Sequence, residues 1–222
     1  MKLASSWSGG KDSCLALWRS QNTGAEISHL LTALDESGLK TRSHGVTREL
    51  ILAQGESLGM TNEFISASWQ DYENQFIEKL KFLSSKGISQ MIFGDIDLIA
   101  HREWEEKVCS EAGLIALLPL WNEKRLDMVH EFLDAGFKAR IVCVDGQILD
   151  ESYVGREFNY EFISSLPAGV DACGENGEFH TFVYDGPNFN HPVAWKSLGK
   201  KAYISPKEYG SKTFYFDLLD IG

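Results

Sequence analysis

Short apolar runs alternate with stretches of helical periodicity through the first two thirds of the chain. Side chains change face at every residue in a strand and return to the same face about every 3.6 residues in a helix, so the two patterns separate strands from helices. Strands are predicted at residues 3–7, 27–34, 91–93, 114–118 and 139–144. Repeated alternation of strand and helix is typical of a parallel sheet covered by helices on both faces.

The predicted helices lie between these strands and have recognisable ends. Serine, threonine and aspartate cap helix N-termini, and glycine ends helices in a left-handed conformation. The helices run over about residues 12–20, from Thr47 to Gly59, from the capping pair Ser68 and Asp71 to Gly87, over about residues 101–112, and over about residues 123–135. They supply the crossover connections that a parallel sheet requires.

After Asp145 the pattern changes. Glycine and proline become more frequent, and short aromatic strands such as HTFVYD (residues 180–185) and KTFYFDLL (residues 212–219) replace the alternation. We therefore predict an α/β protein of two domains. Residues 1–145 form a doubly wound, Rossmann-like parallel sheet that binds a nucleotide, and residues 146–222 form a smaller, strand-rich C-terminal domain.

Composition and charge narrow the class of partner. The 222 residues include 32 Asp and Glu against 21 Lys and Arg, a net charge of −11, which argues against a nucleic acid partner because such proteins usually present a basic face. The cysteines are far apart and form no C-x-x-C pair, which suits a reducing cytosol. No signal peptide and no apolar run of about 18 residues is found, so we expect a cytoplasmic protein without a membrane partner.

The candidate chemistry begins with SGGKDS, residues 8–13, directly after the first predicted strand. Gly9 and Gly10 let the backbone close around terminal phosphates, while Ser8 and Ser13 add hydroxyl donors. Lys11 supplies a positive charge, and the following helix adds its N-terminal dipole. The stretch therefore predicts a phosphate-binding turn.

Two other phosphate loops are excluded by spacing. A Walker A loop needs a glycine at position 5 and a hydroxyl residue after Lys11, where the chain has Ser5 and Asp12. The G-x-G-x-x-G pattern of dinucleotide-binding proteins is absent as well, so a nicotinamide or flavin dinucleotide is not supported.

A second cluster, FGDIDLIAHREW at residues 93–104, follows the strand at 91–93. If that strand is a neighbour of the first, Asp95 faces the glycine turn and could hold Mg²⁺, which prefers oxygen ligands and phosphate. Gly-Asp after a strand is also compatible with a simple turn and helix cap. Arg102 could meet a phosphate or a substrate carboxylate, or it could be solvated on a charged helix.

A third cluster, DACGENGEFHTFVYDGPNF at residues 171–189, crowds acidic groups beside a histidine. Glu178 and His180 are two residues apart, so an extended backbone would project both to the same side. Loops that carry such polar groups next to a rigid strand often contact substrate, although a solvated acidic turn would have the same composition. Cys173 lies nearby, but no base that would form a thiolate is identifiable.

The hexapeptide resembles the signature of the pyrophosphate-loop ATPases. Together with GDI in the middle and GENGEFHT near the end, it resembles the diphthine–ammonia ligase family. Further likeness comes from HGV at 44–46, GLIALLPLW at 113–121 and VYDGP at 183–187, so the resemblance covers nearly the whole chain. The form of the C-terminal loop looks more like the bacterial branch than the archaeal or eukaryotic one.

This resemblance implies an adenine nucleotide alpha hydrolase-like domain followed by a family-specific domain. It implies a ligase that uses ATP and Mg²⁺ to adenylate a carboxylate, releases pyrophosphate, and lets ammonia displace AMP. Implied nucleotide contacts are Ser8, Gly9, Gly10, Lys11, Asp12, Ser13, His44, Gly94 and Asp95, with Asp95 on the metal. Implied catalytic residues are Lys11, Glu175, Glu178 and His180, and implied substrate contacts are Arg102, Glu175, Asn176, Glu178, His180 and Thr181.

Two alternatives stay open at this point. One is a pyrophosphate-loop sulfur transferase that adenylates a tRNA base, and the other is a protein that binds ATP without turnover. The acceptor that carries the carboxylate, either a small molecule or a modified protein side chain, is not specified by the sequence, and a homo-oligomer is compatible with it.

Overall fold

A computed structural model of the protein describes residues 2–207 and 210–222. Its first layer is a five-stranded sheet in the order β3-β2-β1-β4-β5, with every neighbouring pair parallel. The strands are β1 (Lys2–Ser6), β2 (Glu26–Leu34), β3 (Thr61–Ser66), β4 (Ile88–Ile92) and β5 (Ile115–Leu117). The chain order reverses between β1 and β4, and ligands of open α/β sheets bind at such a switch point.

Helices cover both faces of this sheet, as the sequence predicts. They are α1 (Lys11–Asn22), α2 (Arg48–Leu58), α3 (Tyr72–Ser85), α4 (Ile99–Glu111) and α5 (Arg125–Asp134). Leu30 and Leu31 are adjacent on β2 and point to opposite faces, where they join two separate apolar cores. The doubly wound fold class is therefore confirmed.

A second, antiparallel sheet follows in the order β7-β6-β9-β8. Its strands are β6 (Lys138–Asp145), β7 (Phe179–Asp185), β8 (Trp195–Ile204) and β9 (Thr213–Ile221), with a short helix α6 (Tyr160–Ser165) between β6 and β7. Placing residues 139–144 in the parallel series is wrong, because an apolar run buried on both faces looks alike in either kind of sheet. The chain passes from the parallel sheet to the antiparallel sheet between β5 and β6. The domain boundary at residue 145 stays a prediction.

Two strands were not predicted. β3 carries polar residues at most positions, and β8 is exposed along nearly its whole length, so neither shows the alternation that marks a strand with one buried face. Among the residues described, no helix combines the length and the apolar character that a membrane crossing would need.

The antiparallel sheet braces the turn that joins β1 to α1. The backbone N–H of Val183 donates to the carbonyl of Gly9 at 2.9 Å. The buried side chain of Gln54 donates to the carbonyls of Gly9 and Val183 at 3.0 and 2.6 Å, and it accepts from the indole of Trp7 at 2.8 Å. The shape of this turn thus depends on both sheets.

Gln54→Met is expected to lower the free energy of unfolding by roughly 3 kcal/mol, because it keeps the volume but leaves the buried indole N–H of Trp7 without its acceptor and the carbonyls of Gly9 and Val183 without this donor. Chemical denaturation measures the change. Gln75→Met, on the exposed face of α3, is the matched control and should change stability by less than about 0.5 kcal/mol. Equal stability of the two variants would mean that the Gln54 contacts do not hold the turn.

Candidate active site

The glycine turn joins the end of β1 to the first residue of α1. Gly9 has φ 79°, a conformation that side chains disfavour, and a Cβ there would lie 2.7 Å from Ile51 and 2.8 Å from Gln54. A Cβ on Gly10 would lie 2.4 Å from the ring of His44. The glycines are therefore required by packing around the turn, and the N–H groups of the first turn of α1 lack intrahelical partners by the geometry of a helix.

A cavity of about 300 Å³ opens over this turn, and we term it the central cavity. It is lined by residues from the loops after β1, β2 and β4, from α1 and α4, from the loop before β7 and from the start of β7. Among them are Ser8, Lys11, Asp12, Ser13, Ser43, His44, Gly94, Asp95, His101, Glu175, His180 and Thr181. A Cβ on Gly94 would lie 2.8 Å from the backbone of Asp12 and Ser13. Gly94 thus lets the loop after β4 approach α1, which brings Asp95 to the same cavity as Lys11.

Lys11 is buried between two carboxylates. Its Nζ lies 2.7 Å from both carboxylate oxygens of Asp12 and 3.6 Å from Oε1 of Glu175. Burial alone would lower the pKa of Lys11, but the neighbouring negative charges, chiefly that of Asp12, outweigh it and raise the pKa above its usual value. The ammonium group therefore stays charged at neutral pH.

Glu175 lies in the loop before β7, which we term the acidic loop (residues 171–178). Burial, and next the charge of Asp12, raise the pKa of Glu175 to about 7, although Lys11 and Arg125 act in the opposite direction. A carboxyl group with this pKa can take up or release a proton under ordinary conditions.

Asp12, Cys173 and Glu175 form a cluster whose potential ligand atoms lie within 4.8 Å of one another. The ammonium of Lys11 already pairs with both carboxylates. Burial raises the pKa of Cys173 to about 12, so its thiol is protonated at neutral pH and is not a nucleophile. We interpret the cluster as an ion pair network and not as a metal site.

Two histidine rings face each other across the central cavity. His44 and His180 have ring centroids 4.7 Å apart, and Nδ1 of His44 donates to the carbonyl of Thr181 at 2.8 Å. Burial lowers the pKa of both, that of His180 to about 3. Both rings are therefore neutral at pH 7 and act as hydrogen-bonding groups without charge.

Several residues predicted for the site point elsewhere. Glu178 is buried and accepts hydrogen bonds from the backbone N–H of Asp171 and from the backbone and side-chain amides of Asn176, at 2.9–3.2 Å. It does not line the central cavity, because β7 begins only at Phe179 and the expected extended spacing to His180 does not apply. Arg102 pairs with Glu106 at 2.7 Å and also lies outside the cavity.

Thr181 lines the cavity but its hydroxyl has a structural partner, since it accepts from the backbone N–H of Lys11 at 2.9 Å. This bond fixes the first residue of α1 to β7. It is a further contact between the glycine turn and the antiparallel sheet.

A second cavity of about 460 Å³ adjoins the first, and we term it the aromatic cavity. The two share Ser6, Ser8, Ser43, His44, Asp95 and His101. The aromatic cavity adds the rings of Trp69, Tyr72, Phe76, Phe93 and Trp104. These rings come from the loop after β3, from α3, from the residue that follows β4 and from α4, so no single local sequence pattern groups all of them. The sequence did not indicate them.

His101 and Glu105 of α4 were also missed, although His101 follows Asp95 by only six residues. Nδ1 of His101 lies 2.7 Å from Oδ1 of Asp95. Burial first, and then a hydrogen bond with Asp95, raise the pKa of Glu105 to about 10. Glu105 is therefore a neutral acid at pH 7.

Comparison with known proteins assigns both parts of the chain. Residues 1–116 match the model of the diphthamide synthase N-terminal domain, and residues 124–207 match that of the diphthamide synthase C-terminal domain. A solved chain, described as a predicted subunit of tRNA methyltransferase from Methanocaldococcus jannaschii, aligns over 64% of this chain and 80% of its own, with 17% identity and a TM-score of 0.45.

Curated relatives carry one name, diphthine–ammonia ligase. The human protein is 26% identical over 220 residues, which cover 87% of this chain and 82% of the relative. The rat protein is 27% identical over the same shares. The Schizosaccharomyces pombe protein is 25% identical over 237 residues, 93% of this chain but 39% of its own length. Because the two family models together match most of the chain, it belongs to the diphthamide synthase family, whose named members here are ligases.

Proposed function

We propose that this chain is an ATP-dependent, AMP-forming amide ligase that adenylates a substrate carboxylate and transfers ammonia to it. The observation that carries the proposal is the meeting of three groups in one cavity at the switch point of the sheet. These are the open N-terminal turn of α1, the buried ammonium of Lys11, and the carboxyl of Glu175 with its pKa near 7.

ATP would span the two cavities. Its phosphates would lie on the glycine turn, where backbone N–H groups, the hydroxyls of Ser8 and Ser13, and the helix dipole all favour an anion. Its base would enter the aromatic cavity, whose rings offer flat apolar surfaces for stacking. The shared residues make the two cavities one continuous cleft.

Asp95 is the side chain that would hold Mg²⁺. It offers carboxylate oxygens, which this hard cation prefers, and it faces the turn where the phosphates would lie. Protein sites for Mg²⁺ often contribute only one or two carboxylates, so the donor set fits. When bound, the metal would balance the charge of the phosphates.

Lys11 would stabilise charge on the leaving group. In the first step a carboxylate oxygen of the substrate attacks the α-phosphorus, and the bond to pyrophosphate breaks. Negative charge then accumulates on the departing pyrophosphate beside α1. A preorganised ammonium in a water-poor cavity stabilises that charge more in the transition state than in the ground state.

Glu175 would serve the second step. Ammonium is the abundant species at neutral pH and must lose a proton before nitrogen can attack. Glu175 would accept that proton, and the C–N bond would form at the acyl carbon as AMP leaves with the bonding electrons. The nitrogen would then lose its surplus proton to the departing phosphate group or to solvent. The neutral rings of His44 and His180 would orient the acceptor by hydrogen bonds, while Glu178 and Asn176 would shape the acidic loop.

The test is to identify the nucleotide products. With ATP, Mg²⁺, ammonium and a panel of carboxylates, turnover should yield AMP and pyrophosphate, measured by chromatography and a pyrophosphate assay. The relatives' name makes diphthine the first acceptor to try. ADP and orthophosphate as main products would contradict the proposal, and ATP binding without AMP from any acceptor would support a non-catalytic ATP-binding protein.

A further inference from the structure

Arg125 joins two loops of the candidate site without lining either cavity. It is the first residue of α5, and its Nε and Nη2 donate to the two carboxylate oxygens of Asp97, both at 2.8 Å. Its Nη1 donates to Oδ2 of Asp171 at 2.6 Å and to Oδ1 of Asn176 at 3.3 Å. Asp97 belongs to the loop after β4, so one guanidinium connects that loop to the acidic loop.

Asp171 connects Arg125 to the backbone of Glu175. Its carboxylate accepts from the backbone N–H of Cys173 at 2.9 Å and from that of Glu175 at 3.3 Å. Arg125 therefore donates to the same carboxylate oxygen of Asp171 that accepts from the backbone N–H of Glu175. The loop needs such support, because Gly174 and Gly177 both have positive φ and glycine loses much conformational freedom when it is ordered.

We propose that Arg125 is a positioning residue, which keeps Glu175 against Lys11 by fixing the acidic loop to the loop after β4. The catalytic part of this inference rests on the proposed function of the site. A lysine could not replace it fully, because only the planar guanidinium can bond one carboxylate with two donors and a second carboxylate with a third.

The test compares Arg125→Ala and Arg125→Lys with Arg19→Ala. Arg19 on α1 also donates two hydrogen bonds to one carboxylate, that of Glu131 on α5, but it lies outside both cavities. Arg19→Ala is therefore the matched control for the loss of such an ion pair. Amide hydrogen exchange of the peptide that covers residues 171–178 is the first readout. We expect exchange there to accelerate about 10-fold or more in Arg125→Ala, less in Arg125→Lys, and not in Arg19→Ala.

The second readout is steady-state kinetics. In Arg125→Ala, kcat for amide formation should fall about 10-fold or more while KM for ATP changes less than about 3-fold, since the phosphate turn is left intact. Unchanged exchange of the acidic loop in Arg125→Ala would overturn the proposal. So would full kcat in a variant whose loop exchanges faster.

The two readouts separate this inference from the proposed function. If the wild-type chain formed no AMP, the proposed function would fail, while hydrogen exchange would still decide whether Arg125 holds the loop. If Arg125→Ala did not fold, Asp171→Asn breaks the same connection from the other side. It should accelerate exchange of the acidic loop in the same way, and an unchanged rate there would overturn the proposal.

Discussion

Lys11→Met should lower the rate of AMP formation by about 10²-fold or more, the usual scale for removing a charge that acts mainly on the transition state. Methionine keeps most of the apolar stem but provides no ammonium for the departing pyrophosphate. It also leaves the carboxylates of Asp12 and Glu175 without their shared counter-charge. Pyrophosphate exchange into ATP measures the step directly.

The control for Lys11 is arginine, which keeps the charge and should retain more activity than methionine. The pH profile gives a second check, because Lys11 acts to lower the pKa of Glu175. Loss of the Lys11 charge should therefore raise the pKa of Glu175. Full exchange activity in Lys11→Met would remove this side chain from the adenylation step.

Glu175→Gln should separate the two half-reactions. Glutamine keeps the size of the side chain but cannot accept a proton, so amide formation should fall by about 10²-fold or more. The glycine turn is untouched, so ATP binding and pyrophosphate exchange should persist with the acceptor present. Glu106→Gln, which alters an exposed carboxylate of α4, is the control and should leave both activities unchanged.

The same substitution predicts a change in pH dependence. The wild-type rate of amide formation should rise with pH through about 7, as Glu175 loses its proton, and this limb should vanish in Glu175→Gln. The groups that set this pKa are Asp12 and Asp95, which raise it, and Lys11 and Arg125, which lower it, in addition to burial. A parallel loss of exchange and amidation would instead place Glu175 on the nucleotide.

Stability should follow the opposite trend. The pKa of Glu175 is about 7 in the folded state against an ordinary value of 4.5, so the native state binds this proton more tightly than the unfolded state. Its contribution to the free energy of unfolding therefore falls as pH rises from 4.5 to about 7. Denaturation of Glu175→Gln across this range should show a smaller decline than the wild type.

The glycine turn was predictable because its residues are contiguous. SGGKDS follows a strand and begins a helix, so local sequence suffices to predict the turn and to propose it as a phosphate site. The position of Asp95 opposite the turn was predictable with one further assumption, that β1 and β4 are neighbours in this fold class. Each inference needed only local pattern and a general rule of sheet topology.

Arg125 and the aromatic cavity were not predictable in this way. Arg125 bonds partners 28 and 46 residues away, and charge alone does not distinguish it from Arg102, which pairs with Glu106 on its own helix. The direction of the Glu178 side chain was missed for a related reason, because the strand begins one residue later than the spacing argument assumed. Side-chain direction at the end of an element depends on contacts that sequence periodicity does not encode.

The bracing of the glycine turn by Gln54, Thr181 and Val183 limits how this family can be recombined. The bond from Val183 uses only backbone and tolerates any residue there, but those of Gln54 and Thr181 require their own side chains. A chimera that takes its parallel sheet from one relative and its antiparallel sheet from another keeps this bracing only if the first supplies glutamine at 54 and the second supplies threonine at 181. Both side chains bond backbone atoms of the other part of the chain, so the two parts can be exchanged between relatives that carry these two residues.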